Sequence, residues 1–464
     1  MRGFRVAIVG SGPAGYYAAE HLLSSESPVV EVDMFERLPT PWGLLRAGVA
    51  PDHVKIKSVS AQFEEIASHP RYRYFGNVEF GRDVSRDALL SRYDAVLYAV
   101  GARAERRLAI PGEDLPGSLA ASDFVGWYNG HPDMTTLAPD LSGDRAVVIG
   151  NGNVAVDVAR MLLLGSDTLR TTDIADHALA ALASSRIRDV TILGRRGPAQ
   201  AAFTTPELRE LVSFPDLTVE ALSLSNAAPE VTNPAEDRRV QRNLAVLEQA
   251  ARRAPSGDRR RLRLGFLRSP IAIRGRGKVE AVEVGVNRLE LRDGEIRSFD
   301  TGERETLAAD LVIRAVGYRG GALPDVTFDD RGGTIPNIGG AVVGGDREYV
   351  AGWIKRGPSG IIGANRGDAM ETVERLLADL AAVSPAAASA EAILDWLGQA
   401  CPCVVDQAGW MRIDRCERTA GAAADRPRIK LVTIDAMLAA AETSEPGLDA
   451  PHSSNWASHT ARTA

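Results

Sequence analysis

Two glycine-rich stretches of this chain have the residue types and the spacing that bind a diphosphate. The first is Gly10-Ser11-Gly12-Pro13-Ala14-Gly15, and the second is Gly150-Asn151-Gly152-Asn153-Val154-Ala155, in which alanine replaces the third glycine. The glycines of such a turn permit a tight bend, close approach of the backbone to a pyrophosphate and close packing of helix on strand. The N-terminus of the following helix then attracts the diphosphate through its unpaired N–H groups. Two such turns predict two bound nucleotides.

The elements on either side of the first turn fit this chemistry. Phe4–Val9 is predicted as a short buried parallel strand, and Pro13–Leu23 as the helix that follows it. A second strand is predicted from Val29 to Phe35 and ends at Glu36, where a carboxylate accepts a hydrogen bond from a ribose hydroxyl. Together these features favour a dinucleotide site over the alternative, a glycine-rich turn in some other α/β fold.

The second turn differs at the end of the strand that comes next in the sheet. Arg145–Ile149 is the predicted strand and Val154–Leu164 the predicted helix, but the next strand, Val190–Leu193, runs into Gly194-Arg195-Arg196 instead of an acid. Paired guanidinium groups suit a 2'-phosphate, whereas an acid would accept from a free 2'-hydroxyl. We therefore expect NADP(H) rather than NAD(H) here. The alternative is that two arginines end a strand by chance.

Two buried strands that end at glycine flank the second nucleotide unit. Gly101 follows the predicted strand Asp94–Val100, and Gly317 follows Leu311–Ala315. We expect the chain to leave the first domain near Gly101 and to return near Gly317. The predicted fold is α/β, with two Rossmann-like (three-layer ββα) nucleotide-binding domains, the second inserted into the first. The expected bounds are 1–105 and 318–440 for the first domain, 106–317 for the inserted domain, and 441–464 for a disordered tail rich in small polar residues.

Length and composition limit the remaining possibilities. A chain of 464 residues can bury large cores in two or three domains. No apolar run approaches the roughly 18 residues that span a bilayer, and a strand that starts at Phe4 leaves no room for a leader peptide, so we expect a cytoplasmic protein. Cys401, Cys403 and Cys416 are too few for a disulfide framework. We expect them to be simple thiols, and we expect no metal site.

The net charge of -7 hides one basic segment. Between Asp237 and Val279, thirteen Arg or Lys residues stand against three acids. A basic face on an acidic protein indicates an anionic partner. Nucleic acid is disfavoured because no interleaved aromatics or reading motif accompany the arginines. The remaining alternative is a solvated surface helix.

Five motifs, taken in order, closely resemble those of adrenodoxin reductase and its bacterial relatives, the NADPH-ferredoxin reductases. They are GSGPAG, LPTPWGLLRAGVAPDH, GNGNVAVDVAR, GRRGPAQAAFTTPELRE and GWIKRGPSGIIGAN, and the resemblance runs from Phe4 to about Asp379. It implies FAD in the first domain, NADP in the inserted domain and a monomeric ferredoxin–NADP(+) reductase. Such an enzyme takes a hydride from NADPH and delivers single electrons to a ferredoxin-type iron-sulfur protein.

The resemblance also implies site residues, carried over motif by motif. The implied FAD contacts are Gly10, Gly12, Ala14, Gly15, Glu36, Leu44, Val84, Trp353, Gly360, Ile361 and Ile362. The implied NADP contacts are Asn151, Gly152, Asn153, Val154, Arg195, Arg196 and Glu207. A catalytic-centre pair joins His53, in the loop Leu38–Lys55, to Glu210. The implied ferredoxin-docking residues are Arg238, Arg239 and Arg242, with Lys355 and Arg356 continuing the patch.

Three other classes of protein also combine two nucleotide-binding units in one chain. A disulfide oxidoreductase needs a redox-active cysteine pair beside the flavin, usually CxxC, whereas Cys401-Pro402-Cys403 is CxC and lies late in the chain. A glutamate-synthase-type or electron-bifurcating subunit usually carries cluster cysteines ahead of the first glycine turn, and nothing precedes Phe4 here except three residues. A non-catalytic NADPH-sensing protein would keep both nucleotides without turnover.

Overall fold

A computed structural model of the chain describes residues 3–214, 217–222, 238–252 and 260–443. Its strands are, in chain order, β1 Phe4–Val9, β2 Val30–Phe35, β3 Tyr72–Phe75, β4 Ala95–Tyr98, β5 Ala104–Glu105, β6 Ser118–Ala120, β7 Arg145–Ile149, β8 Asp189–Gly194, β9 Leu217–Leu222, β10 Arg260–Phe266, β11 Arg268–Arg274, β12 Ala281–Arg292, β13 Glu295–Ala308, β14 Leu311–Arg314, β15 Tyr318–Arg319, β16 Asn337–Ile338, β17 Ala341–Val342 and β18 Glu348–Val350.

The α-helices of the same residues are α1 Pro13–Leu23, α2 Leu44–Ala47, α3 Val54–Lys57, α4 Ser60–Ala67, α5 Arg86–Leu90, α6 Ala121–Asn129, α7 Asn153–Leu163, α8 Ser166–Leu169, α9 Asp176–Ala183, α10 Thr205–Val212, α11 Arg238–Ala251, α12 Trp353–Arg356, α13 Ala364–Ala381, α14 Ala390–Ala400, α15 Gln407–Ala422 and α16 Ile434–Glu442. Short 3-10 turns occupy Pro132–Met134 and Pro198–Gln200.

The chain divides into two compact units. Among the described residues, unit 1 comprises those up to Ala104, Asn129–Pro132 and those from Tyr318 onward, and unit 2 comprises Glu105–Tyr128 and Asp133–Gly317. The chain therefore passes between the units next to the two glycine-terminated strands that the sequence singled out. The short return at Asn129–Pro132 is not foreseen by the sequence pattern.

Unit 1 is built on a seven-stranded sheet of order β16-β17-β18-β4-β1-β2-β3. The five strands from β18 to β3 are parallel, and β16 and β17 add an antiparallel edge. All six residues of β1 are buried because its side chains alternate between two covered faces. Val6 and Ile8 pack in one apolar cluster with residues of α1 and α13, and Ala7 and Val9 pack in another.

The core of unit 2 is a six-stranded parallel sheet of order β6-β14-β7-β8-β10-β9. β7 pairs with β8 from Arg145↔Asp189 to Ile149↔Leu193. The carboxyl ends of these two strands therefore bring the second glycine turn and the Arg195-Arg196 dipeptide to one edge of the sheet. The fold class expected from the sequence, α/β with two Rossmann-like units, is confirmed.

A three-stranded antiparallel sheet, β11-β12-β13, is also part of unit 2. The sequence pattern predicted only parts of β11 and β12, as Ile271–Ile273 and Val279–Val286, and it missed β13 altogether. Most β13 side chains are exposed, so the strand carries almost no apolar signal. The missed signal is Asp293-Gly294, both at positive φ, which is the two-residue turn that best joins antiparallel strands.

Three C-terminal helices of unit 1 begin with a capping side chain. Ser389, Asp406 and Thr433 accept hydrogen bonds from backbone N–H groups three residues ahead, which satisfies donors that the helix leaves unpaired. The last of these helices ends at Glu442, so residues 441 and 442 are helical and the expected tail cannot start at 441. Residues 444–464 lie outside the described residues. No helix in the described part of the chain is long and apolar enough to cross a bilayer.

Candidate active site: two nucleotide-binding turns

The first glycine turn leaves the N-terminus of α1 open. Gly10 has φ +106°, and a Cβ there would lie 2.6 Å from the carbonyl oxygen of Ala99. A Cβ at Gly15 would lie 2.2 Å from the carbonyl oxygen of Gly10, so helix and strand pack too closely for a side chain. By contrast, a Cβ at Gly12, the N-cap of α1, would meet nothing within 4 Å. The space over the helix terminus therefore fits a diphosphate.

Glu36 is fixed at the end of β2 beside this turn. Its Oε2 accepts hydrogen bonds from the backbone N–H (3.1 Å) and the hydroxyl (2.7 Å) of Ser11, and its Oε1 accepts from the N–H of Leu38 (3.1 Å). Glu36 also lines a cavity of about 480 Å³ together with Gly10, Arg37, Gly101 and Pro324. This volume lies in the range of small-ligand sites, and Oε1, which accepts only one of these hydrogen bonds, keeps a further lone pair for a ribose hydroxyl.

The loop after β2 lies directly on the glycine turn. The N–H of Trp42 donates to the carbonyl of Ser11 (3.0 Å), and a Cβ at Gly43 would lie 3.0 Å from the Cα of Gly12. Trp42 has φ +83°, a strained backbone conformation for a bulky residue. Leu44, an expected FAD contact, begins α2 at this point and is 36% exposed.

Val84, a further expected FAD contact, is placed differently from the other members of the set. Its side chain is 1% exposed and belongs to an apolar cluster with Phe35, Phe75 and Val78. Its carbonyl accepts the N–H of Gly81, which lines the cavity. Val84 thus supports the cavity wall through its backbone, and any contact of its own with FAD stays a prediction.

The segment around Trp353 comes close to the first helix. A Cβ at Gly352 would lie 2.6 Å from the Cβ of Ala14, so two sequence-distant parts of the expected FAD site meet. The N–H of Gly352 donates to the buried carboxylate of Asp368 (2.5 Å), and the indole N–H of Trp353 donates to the carbonyl of Ser359 (3.2 Å). Asp368 was not predicted as a site residue, because its only sequence signal is an acid one turn inside α13.

Gly360, Ile361 and Ile362 follow in the same segment. Gly360 has φ +82°, and a Cβ there would lie 2.9 Å from that of Ala364, which explains the glycine. Ile361 is 68% exposed, whereas Ile362 is partly buried against the apolar cluster of α1 and α13.

Lys355 does not continue a basic surface patch. Its ammonium group lies 2.8 Å from Glu371 and 3.4 Å from Asp368, and its side chain is 7% exposed. Both acids come from α13, and their proximity to Lys355 does not follow from the sequence pattern. This expectation is wrong because a buried, doubly paired cation presents little charge to a partner. Arg356 contacts Asp368, Ser359 and Asn365 and is 24% exposed.

The second glycine turn repeats the geometry of the first. Gly150 has φ +125°, and a Cβ there would lie 2.1 Å from the carbonyl oxygen of Ala315. Gly152 is the N-cap of α7, and a Cβ there would again meet nothing within 4 Å. Asn153 Oδ1 accepts from the N–H of Thr204 (2.8 Å), and the carbonyl of Asn151 accepts from Ala202 and Phe203. These bonds hold the turn that also carries Val154.

Arg195 and Arg196 follow β8 with their backbones anchored. The carbonyl of Arg195 accepts hydrogen bonds from Asn287 Nδ2 (2.9 Å) and Ser298 Oγ (2.8 Å), and that of Arg196 accepts from the N–H of Leu267 (3.1 Å). Among the described residues, no carboxylate lies within 4.0 Å of either guanidinium, so both charges are available to an anion. Arg195 is exposed and Arg196 is partly exposed.

Arg160, a buried arginine that was not predicted as a site residue, lies beside the acids of α10. Arg160 is wholly buried, and its guanidinium lies 2.9 Å from Asp157, 3.4 Å from Glu207 and 3.7 Å from Glu210. Its sequence signal is a charge on the apolar face of α7. His53 is buried just ahead of α3 in unit 1, whereas Glu207 and Glu210 belong to unit 2. The pairing of His53 with Glu210 stays a prediction.

In the folded chain, ion pairs neutralise much of the positive charge of the basic segment 237–279. Most of its arginines from residue 261 onward form ion pairs with acids from other strands, including Arg261 and Arg263 with Asp189 and Glu220, Arg268 with Glu305, and Arg274 with Glu283. Arg238, Arg239 and Arg242 lie exposed at the start of α11, whose opposite face is buried. Among the described residues of the segment, we therefore keep this end as the candidate docking surface.

Cys401 is a buried free thiol that donates to the carbonyl of Asn77 (3.2 Å). Burial raises the pKa of the Cys401 thiol to about 11. Because the thiolate is the reactive form, this cysteine is a poor nucleophile at neutral pH. The structure thus gives no support to a dithiol mechanism at Cys401 and Cys403.

Comparisons with known proteins agree with this geometry. The family model described as pyridine nucleotide-disulphide oxidoreductase matches residues 4–212. NADPH-ferredoxin reductase FprA of Mycobacterium tuberculosis is 51% identical over 452 residues, which cover 94% of this chain and 99% of the relative. Mitochondrial NADPH:adrenodoxin oxidoreductase of Salvelinus fontinalis is 41% identical over 456 residues, covering 94% and 90%. The structure of Mycobacterium tuberculosis FprA in complex with NADPH matches with a TM-score of 0.92 and 50% identity, covering 95% of this chain and 100% of that one. The chain therefore belongs to the NADPH-ferredoxin reductase family of FAD- and NADPH-dependent oxidoreductases.

Proposed function

We propose that this chain oxidises NADPH and reduces a ferredoxin-type iron-sulfur protein, with FAD held by unit 1 and NADPH by unit 2. The observation that carries the assignment is the contrast between two similar helix N-termini. One lies beside the buried carboxylate of Glu36, and the other lies at the sheet edge where Gly194, which directly precedes Arg195 and Arg196, approaches Asn151 of the second turn. An acid selects a free ribose hydroxyl and an arginine pair selects a 2'-phosphate, so the two nucleotides differ.

The residues of unit 1 fit FAD. The open N-terminus of α1 accepts a diphosphate, Glu36 faces a cavity of suitable size, and the segment from Gly352 to Ile362 meets α1 at Ala14. When held there, FAD would supply the link between a two-electron donor and a one-electron acceptor. The chain itself supplies alignment, backbone N–H groups and exclusion of water. It acts as a monomer in this proposal.

The direct test is reduction of cytochrome c by NADPH, with and without a panel of ferredoxins. Purified protein should be yellow, its flavin should bleach on mixing with NADPH, and cytochrome c reduction should accelerate when a suitable ferredoxin is added. An NADPH sensor would bind the nucleotide without bleaching. A disulfide oxidoreductase would lose activity when Cys401 and Cys403 are replaced by serine, whereas our proposal expects no loss.

Replacing His53 with glutamine should slow reduction of the flavin by NADPH only modestly. Hydride transfer needs no general base, so His53 is assigned to positioning the nicotinamide with Glu210. Loss of a general acid or base costs about 10²- to 10⁴-fold, and we therefore expect roughly ten-fold or less. Stopped-flow absorbance of the flavin measures the rate, with His69→Gln in unit 1 as the control. A drop of several hundred-fold in a folded, flavin-loaded variant would show that His53 takes part in the chemistry.

The exposed arginines at the start of α11 are proposed to dock an acidic ferredoxin. Raising the ionic strength from about 0.01 M to about 0.1 M shortens the Debye length from about 30 Å to about 10 Å. The KM for ferredoxin should therefore rise several-fold, and the triple change of Arg238, Arg239 and Arg242 to alanine should remove most of this salt dependence. The control is Arg304→Ala, because Arg304 is already paired with Asp300 at 2.8 Å. Equal salt dependence in wild type and triple variant would refute the docking site.

A further inference from the structure

We propose that the β12–β13 hairpin is a brace for the Arg195-Arg196 dipeptide and that Asn287 and Ser298 are positioning residues for NADPH selectivity. The proposal rests on the proposed function, because it concerns how the same nucleotide site chooses its ligand. The β12–β13 hairpin is the part of unit 2 that the sequence pattern predicted least well, and the proposal gives it a function.

Two side chains of the hairpin converge on a single backbone oxygen. Asn287 Nδ2 donates to the carbonyl of Arg195 at 2.9 Å, and Ser298 Oγ donates to the same carbonyl at 2.8 Å. A carbonyl oxygen has two lone pairs, so these two donors satisfy it completely. The next carbonyl, that of Arg196, accepts the N–H of Leu267 at 3.1 Å. Both peptide units of the dipeptide are thus oriented by residues outside β8.

Asn287 is itself held rigidly. Its side chain is 5% exposed, its Nδ2 also donates to Ser269 Oγ (2.7 Å), and its backbone N–H donates to the carbonyl of Leu267 (2.8 Å). The register of β12 on β13 shifts between Gly285 and Asn287, where pairing jumps from Gly285↔Arg304 to Asn287↔Asp300. Such irregularities re-aim a side chain from its regular direction. Leu267 has φ +58°, which is uncommon for a leucine and accompanies its double role as donor and acceptor.

The brace matters because the Arg195 guanidinium has no ion pair of its own among the described residues. An exposed arginine loses side-chain conformational entropy when it is fixed on a ligand, whereas its backbone can be oriented in advance. A carbonyl locked by two donors fixes the direction in which the side chain leaves the strand. The hairpin therefore lowers the entropic cost of binding a 2'-phosphate through the guanidinium of Arg195. It leaves the contacts to the rest of the nucleotide unchanged.

The test is Ser298→Ala, with adenosine 2'-monophosphate and adenosine 5'-monophosphate as probes. Ser298 is partly exposed and lies on the edge strand β13, so removal of its hydroxyl should not threaten folding. Loss of one hydrogen bond to the dipeptide should weaken binding of the 2'-phosphate probe about three- to ten-fold, since such a bond contributes about 1 kcal/mol. The 5'-phosphate probe should bind as before. In turnover, the KM for NADPH should rise by the same factor, with kcat and the KM for NADH unchanged.

Two variants sharpen the test. Ser298→Thr keeps the hydroxyl donor and should retain wild-type affinity for the 2'-phosphate probe. Thr301→Val removes a similar hydroxyl bond of the same hairpin, from Thr301 Oγ1 to the carbonyl of Val286 (2.8 Å), that does not reach the dipeptide. It should leave both affinities unchanged.

Three outcomes would overturn the brace. They are unchanged binding of the 2'-phosphate probe to Ser298→Ala, equal weakening of both probes, and an effect of Thr301→Val as large as that of Ser298→Ala. Wild-type protein that binds the two probes equally would overturn the arginine clamp and the choice of nucleotide together with the brace. Because the probes report binding without turnover, failure of NADPH oxidation is recognised separately.

Discussion

Replacing Arg195 with alanine is expected to weaken NADPH binding by roughly ten- to a hundred-fold, because a charged hydrogen bond to phosphate contributes about 1.5 to 3 kcal/mol. NADH has no 2'-phosphate, so its KM should change little. The guanidinium is exposed and has no carboxylate within 4.0 Å among the described residues, so its removal leaves no buried partner unpaired. Titration of oxidised flavoprotein with NADP⁺, followed by absorbance, measures the affinity, and steady-state KM values for both coenzymes measure the selectivity.

A matched control separates phosphate recognition from net charge. Arg274 also lies in unit 2, but its guanidinium is already paired with Glu283 at 2.6 Å. Arg274→Ala removes the same formal charge and should leave both KM values within about two-fold, as expected for an exposed pair. The NADPH affinity of Arg195→Lys should lie between those of wild type and Arg195→Ala, because an ammonium group keeps the charge but lacks the planar fork of the guanidinium. Parallel losses for NADPH and NADH in Arg195→Ala would refute the 2'-phosphate assignment.

The nucleotide sites were predictable because their signals are local. Each glycine turn lies within fifteen residues of the strand and helix that position it, and its conformation needs positive φ or close backbone contact at Gly10 and Gly150. Such requirements act on single residues, so the residue types at those positions show them directly. The acid after β2 and the arginines after β8 could be placed beside the turns because adjacent parallel strands end at one edge of a sheet.

The net charge that the surface presents was not predictable, because the acids that pair with its basic residues are distant in sequence. Arg263 counted as free in the basic segment, yet Asp189 and Glu220 neutralise it across neighbouring strands. Lys355 counted as exposed, yet α13 brings Glu371 and Asp368 to it. A local count of charges contains no information on tertiary neighbours. Arg160 and Asp368 were missed for the same reason, since each acts through residues that only the fold assembles.

The second large effect concerns a buried ion cluster that ties the C-terminal helices to the loop over the first glycine turn. Glu417 of α15 is fully buried and accepts hydrogen bonds from Arg46 (2.5 and 2.8 Å), Arg428 (2.9 Å) and the N–H of Leu431 (2.8 Å). Arg46 belongs to the loop whose Trp42 bonds to Ser11, and Trp42 meets Trp410 of α15 edge-on with ring centroids 5.0 Å apart.

Replacing Glu417 with glutamine should lower the free energy of unfolding by about 3 to 5 kcal/mol, because it leaves the buried guanidinium of Arg46 without its counter-charge, whereas Arg428 keeps Asp414 at 2.7 Å. The loop should loosen with it, so the variant should also release FAD more readily than wild type. Urea unfolding followed by tryptophan fluorescence measures the stability, and flavin fluorescence of the filtrate measures the release. Glu64→Gln is the control, because Glu64 pairs with Arg418 at 2.9 Å but is 46% exposed, so its loss should cost less than about 1 kcal/mol.

The pH dependence distinguishes this cluster from simple packing. Burial alone would raise the pKa of Glu417, but the guanidiniums of Arg46 and Arg428 outweigh burial and hold that pKa below its ordinary value of 4.5. A carboxyl group whose pKa is lower in the folded state stabilises the fold above its unfolded pKa and loses that contribution as the pH falls through its folded pKa. The stability difference between wild type and Glu417→Gln should therefore be constant at neutral pH and shrink as the pH falls below 4.5. A difference that persists unchanged into strong acid would mean that shape, and not charge, makes Glu417 necessary.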